Sequence, residues 1–492
     1  MAEYNGGSAK ADHLCVLVHG LWGQPEHLGS VASTLREKYS EDQLHILVAG
    51  SNSGYNTYDG IDTGGERVCR EIEDALKAAA DKGAKITKLS VIGYSLGGLV
   101  ARYAVGLLHA KGIMDKLECK NFTAFASPFL GARSPTRGAF STVFNAIGAR
   151  TISVSGRQLF GIDSFRDTGR PLLAIMADPE SIFMAGLRQF ERRTLYANII
   201  NDRSAVYYTT AISKTDPFAE VGAEGGEIED LPLNFVPGYD STIMDQKEPM
   251  AIDRLAAAMK RVRERKASGE AAKAKAEAMA QQGQLPPAKA LRRFLAKPWN
   301  RERRLQLFEA APMLAFALLL PLGLTLFLMN SVYQNVQSSK RLKLHEGGLA
   351  GIDIKSYRVP LWMKGLRDTV EETYEDINTA QDPEFTSPND SDSDLESIAQ
   401  GGSQQQLPLF NSKSGQKGAS NGASPADGSL LNLSPEQFTM IDNLDSLGWR
   451  KYRVWIRKVR HSHAAIIVRH DSPRFEEGKT VLRHFVNEEF LI

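Results

Sequence analysis

Cysteine is scarce in this chain of 492 residues: Cys15, Cys69 and Cys119 are far apart and odd in number. They offer neither a disulfide framework nor a metal-ligand spacing, which suits a reducing or cytosol-facing location. Net charge is scarce as well. The 59 lysines and arginines against 58 aspartates and glutamates leave +1, so overall charge implies no nucleic-acid partner. No long apolar core follows Met1, and the first apolar run, Leu14 to Val18, is only strand-sized, so no secretory signal is expected. Asn121-Phe122-Thr123 is a formal glycosylation sequon, but it opens a strand pattern and is read as chance. One uncharged apolar stretch stands out, residues 311 to 329. The length itself points to roughly two to four domains, or one large domain with insertions.

What is present is organised around Lys85 to Gly98. The apolar run Leu89 to Ile92 leads into Gly93-Tyr94-Ser95-Leu96-Gly97, and a helical pattern follows from Leu96 to Leu108. G-x-S-x-G between a strand and a helix is the nucleophile elbow of α/β-hydrolases. A serine on that sharp turn is held in a strained conformation, and small residues on either side let strand and helix pass closely. The helix N-terminus behind it favours negative charge.

Around the elbow, strand and helix patterns alternate. Residues 13 to 20 read as a buried strand closed by His19-Gly20-Leu21-Trp22-Gly23, followed by a helix from Pro25 to Lys38 and a strand from Leu44 to Val48. A polar loop reaching Gly65, a helix from Glu66 to Lys82 and a strand from Phe122 to Ser127 continue the series. Residues 131 to 190 read as an irregular, helical cap. Leu195 to Ile200 reads as a strand ending at Asn201-Asp202, and Val206 to Thr210 as a short extended piece. At the far end, Tyr452 to Val459 and Ala464 to Val468 read as strands and Gly478 to Glu489 as a closing helix. The expected fold class is α/β: a mostly parallel sheet with helices on both faces, an α/β-hydrolase fold interrupted by a long insertion before the last strand.

In that fold a backbone N–H after the first strand and the N–H after the nucleophile form the oxyanion hole, here Leu21 and Leu96. Chain order is nucleophile, acid, histidine. Asp202, at a strand end, is the leading acid, with Asp216 and Asp240 as rivals in weaker strand context. Of ten histidines only His345, His461, His463, His470 and His484 follow Asp202. His463, just before an apolar run, leads; His461 is the alternative.

H-G-L-W-G, T-Y-D-G-I-D-T-G-G-E-R, G-Y-S-L-G-G-L-V-A-R-Y, F-A-S-P-F-L-G, Y-A-N-I-I-N-D-R-S-A-V-Y-Y-T and H-A-A-I-I-V-R together resemble the eukaryotic serine esterase family, most closely its fungal lipid-droplet phospholipase branch. The resemblance covers about residues 12 to 245 and 435 to 492. It implies hydrolysis of acyl esters in glycerolipids, with Ser95, Asp202 and His463 on the family's triad positions and neither cofactor nor metal. The family more often has histidine at the position of Phe129, a departure expected to bear on pocket shape.

The nineteen residues from 311 to 329 would span about 28 Å as a helix, near one bilayer core. A single crossing would separate Ser95 and Asp202 from every candidate histidine, so a re-entrant hairpin or a shallow interfacial helix pair is expected. Pro321 and Gly323 would form its turn, and Trp299 and Tyr333 would sit at the interface. Residues 289 to 309 carry seven cationic and two anionic side chains, hence +5, suited to anionic headgroups.

The expected division is a core at 12–245, a basic helical insertion at 246–310, the hydrophobic hairpin at 311–333 and a helical segment at 334–382. A low-complexity loop at 383–432 and the rest of the core at 435–492 complete it. Phosphorylation within Ser391-Asp392-Ser393-Asp394 is expected to weaken membrane attachment. The expected partners are a glycerolipid substrate and a lipid droplet or endoplasmic reticulum membrane, facing the cytosol. Two other readings share the features: an inert membrane tether, and an acyltransferase or thioesterase on the same triad.

Overall fold

The structure, a computed structural model, describes residues 4–132, 153–218, 234–239, 242–244, 329–330, 332–349, 351, 353–362, 431–459 and 461–492. The helical tract from 251 to 282, the cap residues 133–152, the apolar run up to 328, Trp299, Pro321, Gly323, Asp240 and the phosphorylation candidate Ser391-Asp394 lie outside the described residues, as does most of 334–382 beyond 362.

Six strands form one sheet: β1 (His13–Val18), β2 (Leu44–Val48), β3 (Lys88–Tyr94), β4 (Glu118–Phe125), β5 (Arg192–Asn198) and β6 (Arg450–Val454). Their order is β2-β1-β3-β4-β5-β6 and every pair is parallel. β1 is buried along its whole length, as its unbroken apolar run requires for a strand covered on both faces. On one face, α1 (Gly29–Lys38) and α11 (Glu476–His484) share an apolar cluster with Cys15, Leu17, Ile92 and Phe125. On the other, α2 (Ile61–Asp81) packs on α3 (Leu96–Ala110), which in turn meets α6 (Ile182–Arg188). The sheet order reverses between β1 and β3. In open parallel sheets the crevice at the strands' C-terminal ends at such a reversal is where ligands bind.

Between β4 and β5 lie α4 (Val154–Phe160) and α5 (Leu172–Met176) besides α6, and beyond β5 lie α7 (Tyr207–Thr210), α8 (332–346), α9 (Pro435–Asp445) and α10 (Ser462–Ala465). Local chemistry starts several of them. Ser153 and Ser181 accept the backbone N–H three residues on, at 3.2 Å each, and Ser434-Pro435-Glu436-Gln437 forms a full capping box with proline at the first helical position. Residues Met1–Leu361 and Ser424–Ile492 make up one compact unit, so the final strand and helices belong with the first half of the chain.

Several local expectations change. α2 begins at Ile61, inside the stretch read as a polar loop. Gly64 and Gly65 there serve close packing: a Cβ on Gly65 would lie 2.5 Å from the Tyr103 ring. Val206 to Thr210 is not extended, because Tyr207–Thr210 forms a helical turn. Ala464 to Val468 is not a strand. Ser462–Ala465 is a helical turn, and Ala465, Ile466, Ile467 and Val468 are buried in the cluster that holds α1 and α11. A short apolar run buried on all sides carries no periodicity to separate strand from helix. β6 is shorter than the expected Tyr452 to Val459, and the closing helix starts at Glu476 and ends in a π turn, Phe485–Glu489. α8 runs through residues 333 and 334, where a boundary was expected. Among the described residues no helix is long and apolar enough to cross a membrane.

Candidate active site

Ser95 sits between β3 and α3 with φ 55° and ψ −128°. A side chain rarely adopts that conformation, and the surrounding glycines make it possible. A Cβ on Gly97 would lie 2.2 Å from the Val18 carbonyl, and one on Gly93 2.4 Å from the Gly98 Cα. The turn is also tied down: the Ser95 N–H donates to Phe125 O at 2.9 Å, and Ser127 Oγ donates to Ser95 O at 2.7 Å.

The loop after β1, which carries Leu21, lies against this turn. A Cβ on Gly20 would come within 2.7 Å of the Ser95 Cβ, which places the backbone at Leu21 beside the nucleophile. Trp22 follows with φ 53° and a side chain 53% exposed. Among the described hydrogen bonds, neither the Leu21 nor the Leu96 N–H is taken by a protein acceptor.

His463 reaches Ser95 from the other end of the chain. Its Nε2 is 2.9 Å from Ser95 Oγ, and its Nδ1 is 2.8 Å from Asp202 Oδ2. Asp202 follows β5 and is buried. Its Oδ2 accepts from Asn198 Nδ2 at 2.9 Å, and its Oδ1 accepts from the Ser204 and Ala205 N–H groups at 3.0 and 2.9 Å. Burial alone would raise this carboxyl. His463 beside it and the N–H donors outweigh burial and hold it below the ordinary aspartate range.

The histidine turn is fastened from both sides. The Ser462 N–H donates to Asn201 O at 2.9 Å and Ser462 Oγ to Ile200 O at 2.8 Å, so α10 hangs on the loop that carries Asp202. Tyr94 OH donates to His463 O at 3.0 Å, and its ring lies 5.1 Å from the imidazole. Burial pushes the Tyr94 phenol up, which keeps it protonated as a donor.

Ser95, Leu96, Asp202, His463 and the loop holding Leu21 therefore meet in one place. His461 does not reach the serine. It stacks against His463 with centroids 6.1 Å apart and points Nε2 to Ser204 Oγ at 3.3 Å. Asp216 accepts the Phe218 N–H at 3.0 Å, a local turn bond. Tyr333 is exposed on α8. Phe129 is wholly buried, with its ring 4.8 Å from the Arg102 guanidinium and 5.5 Å from Trp449. Asn198, Ser127 and Tyr94 were missed by sequence reasoning. All three lie within the motifs that carry the family resemblance, but nothing local in the sequence gave any of them a role. Among the described residues no group of three or more histidine, cysteine or carboxylate side chains could hold a metal ion.

Residues 8–215 match the family described as "Putative serine esterase (DUF676)". The chain is 27% identical over 259 residues to "Putative lipase C4A8.10" of Schizosaccharomyces pombe, covering 50% of this chain and 32% of that protein. It is 30% identical over 210 residues to "Putative lipase ROG1" of Saccharomyces cerevisiae, covering 41% and 29%. The matched part thus spans about a third of these curated relatives' length. Among solved structures, the phospholipase PlaB from Legionella pneumophila in complex with thio-NAD is 12% identical with a TM-score of 0.27, covering 40% of this chain and 41% of that one. A lipase-esterase related protein from Clostridium acetobutylicum is 13% identical with a TM-score of 0.24, covering 42% and 82%.

Proposed function

Because residues 8–215 belong to a serine esterase family, we propose that the protein hydrolyses acyl esters of glycerolipids through an acyl-enzyme on Ser95. The observation that carries this reading is the unbroken relay from Ser95 Oγ through His463 to Asp202, at 2.9 and 2.8 Å. Ser95 Oγ attacks the ester carbonyl carbon while His463 Nε2 takes its proton. The Asp202 carboxylate holds the Nδ1–H tautomer and stabilises the imidazolium. The tetrahedral oxygen lies between the Leu21 and Leu96 N–H groups, where losing one donor costs roughly 3–4 kcal/mol of transition-state stabilisation. The ester C–O bond breaks and the leaving alcohol takes the proton from Nε2. Water, deprotonated in turn by Nε2, cleaves the acyl-enzyme, and Ser95 regains its proton as the fatty acid leaves.

Phospholipids at a cytosol-facing lipid droplet or endoplasmic reticulum membrane are the proposed substrate. The uncharged run 311–329 with its basic neighbours supports a lipid surface, and so do the lipase names of the two curated relatives. In this reading residues 12–245 and 435–492 carry the chemistry, and the chain between them carries attachment. The test is fatty-acid release from phospholipid vesicles and from triacylglycerol emulsions by wild type, Ser95→Ala and His463→Ala, alongside labelling by a fluorophosphonate probe. Release by wild type that is lost in both variants is the expected result. A wild type that neither releases fatty acid nor takes the probe would leave the tether reading in its place.

A further inference from the structure

α8 is laid on the core the wrong way round for a helix in water. Its inner face is polar: Gln334, Ser338 and His345 are buried, and Arg341 is partly so. Its outer face exposes Val332 at 65%, Tyr333 at 58% and Val336 at 49%, with Met329 exposed just before it. A helix packed by the hydrophobic effect does the reverse. Contiguous exposed apolar groups mark surfaces that something else covers.

The inner face is held by two fully buried carboxylates. Ser338 Oγ donates to Asp59 Oδ1 at 2.6 Å, Arg341 Nη2 to Asp59 Oδ1 at 2.7 Å, and Arg67 Nη2 to Asp59 Oδ2 at 2.8 Å. His345 Nε2 lies 2.7 Å from Glu66 Oε2. Desolvating charges makes such pairs poor sources of net stability. What they fix is the placement of α8. The same stretch of chain, residues 54–59, also holds the oxyanion loop. Gly54 N–H donates to Gly23 O at 2.8 Å and the Trp22 N–H to Thr57 Oγ1 at 3.1 Å, while Arg341 Nη2 donates to Tyr55 O at 3.0 Å. The exposed rings of Trp22 and Tyr55 therefore belong to the same surface region as α8.

We propose that the outer face of α8, with Trp22 and Tyr55, is the surface on which the protein seats on an anionic lipid interface, and that the Asp59 and Glu66 clamp fixes this seat beside the oxyanion loop. The proposal rests on the esterase reading for its consequence, delivery of lipid to Ser95. Lipid is the chosen occupant for two reasons. Met329 ends an uncharged apolar run and begins the exposed face, so the chain enters the seat from lipid-soluble sequence. The exposed Lys340 and Lys343 lie one and two turns beyond Val336, where they complement anionic headgroups.

The test uses the full chain and flotation with phosphatidylcholine vesicles, with and without phosphatidylserine. Val332→Ser with Val336→Ser is expected to weaken binding to phosphatidylserine-containing vesicles about tenfold, the scale for removing several methyl groups from lipid. An environment-sensitive dye on Val336→Cys, the native cysteines being buried, is expected to shift to the blue only when those vesicles are added. Unchanged flotation of the double variant together with no dye shift would overturn the seat. A dye already shielded without vesicles would assign the face to another part of this chain or to a second copy, against the proposal. Ser338→Ala with Arg341→Gln is expected to keep flotation and hydrolysis of a soluble short-chain ester while vesicle-lipid hydrolysis falls several-fold; unchanged vesicle-lipid hydrolysis would overturn the role of the clamp. If wild type hydrolyses no ester at all, the esterase reading fails on its own, and flotation and dye still decide the seat.

Discussion

Ser95 depends on neighbours that have almost no side chain. Its positive φ, the approach of Gly20 and the contact of Gly97 with the Val18 carbonyl fix one geometry for the hydroxyl. Each of the three relay members has a support of its own, Ser127 for Ser95, Asn198 for Asp202 and Tyr94 for His463, so changing a relay member and changing a support should separate chemistry from positioning. Asp202→Asn should leave the fold intact and lower kcat by roughly 10⁴-fold, because an amide in that place favours the wrong imidazole tautomer. Turnover of a soluble ester, with circular dichroism as the fold control, checks this. Tyr94→Phe removes one hydrogen bond to a backbone carbonyl and should cost on the order of 1 kcal/mol of stability. Its effect on kcat should be far smaller than that of Asp202→Asn.

At the scale of elements, α2 and α3 pack through glycine. A Cβ on Gly65 would lie 2.5 Å from the Tyr103 ring, closer than real Cβ atoms come, whereas one on Gly64 would have its nearest atoms 3.2 Å away. Gly65→Ala should therefore destabilise the protein by about 1–3 kcal/mol through overpacking. Gly64→Ala should come out near neutral, since the tight contact is offset by roughly 1 kcal/mol of helix propensity. Urea unfolding of the two variants side by side measures the contrast. α9 offers a second check. Ser434→Ala removes its capping box and should cost about 1 kcal/mol.

For the whole molecule, pH acts through two buried imidazoles far from Ser95 in sequence. Burial, helped by Lys88, lowers His13 to about 4; burial, against the opposing charges of Glu489 and Glu488, lowers His484 to about 4. Both folded values lie below the ordinary 6.5, so between those limits the unfolded chain binds protons that the native state refuses. The stabilisation is fully present above 6.5 and is lost as pH falls toward 4. Together they should remove roughly 2–4 kcal/mol by pH 5, seen as a fall in the urea midpoint between pH 7.5 and pH 5. Asp202, lowered by its partners, adds a further loss only at more acidic pH. The compact unit is made of Met1–Leu361 and Ser424–Ile492. Replacing residues 363–423 by a glycine-serine linker should thus leave the thermal midpoint within a few degrees and soluble-ester turnover within a few-fold. Deleting 435–492 should abolish both, because β6 and His463 go with it.

The sequence by itself determined the parts whose signal is local. Unbroken apolar runs became strands buried on both faces, serine caps started helices, and the glycines around Ser95 announced a turn that only small neighbours permit. Chain order narrowed the histidines to five but left His461 against His463, two residues apart. Only tertiary structure could separate them, because the choice depends on how α10 hangs from the loop after β5. The run Ala464 to Val468 became the end of a helical turn and the turn after it for the same kind of reason: burial erases periodicity, and packing against α1 and α11 decides the backbone. The reversed docking of α8 was equally hidden, since Asp59 and Glu66 lie about 280 residues from the side chains they bind. Local sequence fixes which backbone shapes are cheap. The partners that a buried charge or an ambiguous apolar run will meet are set only when distant segments close on one another.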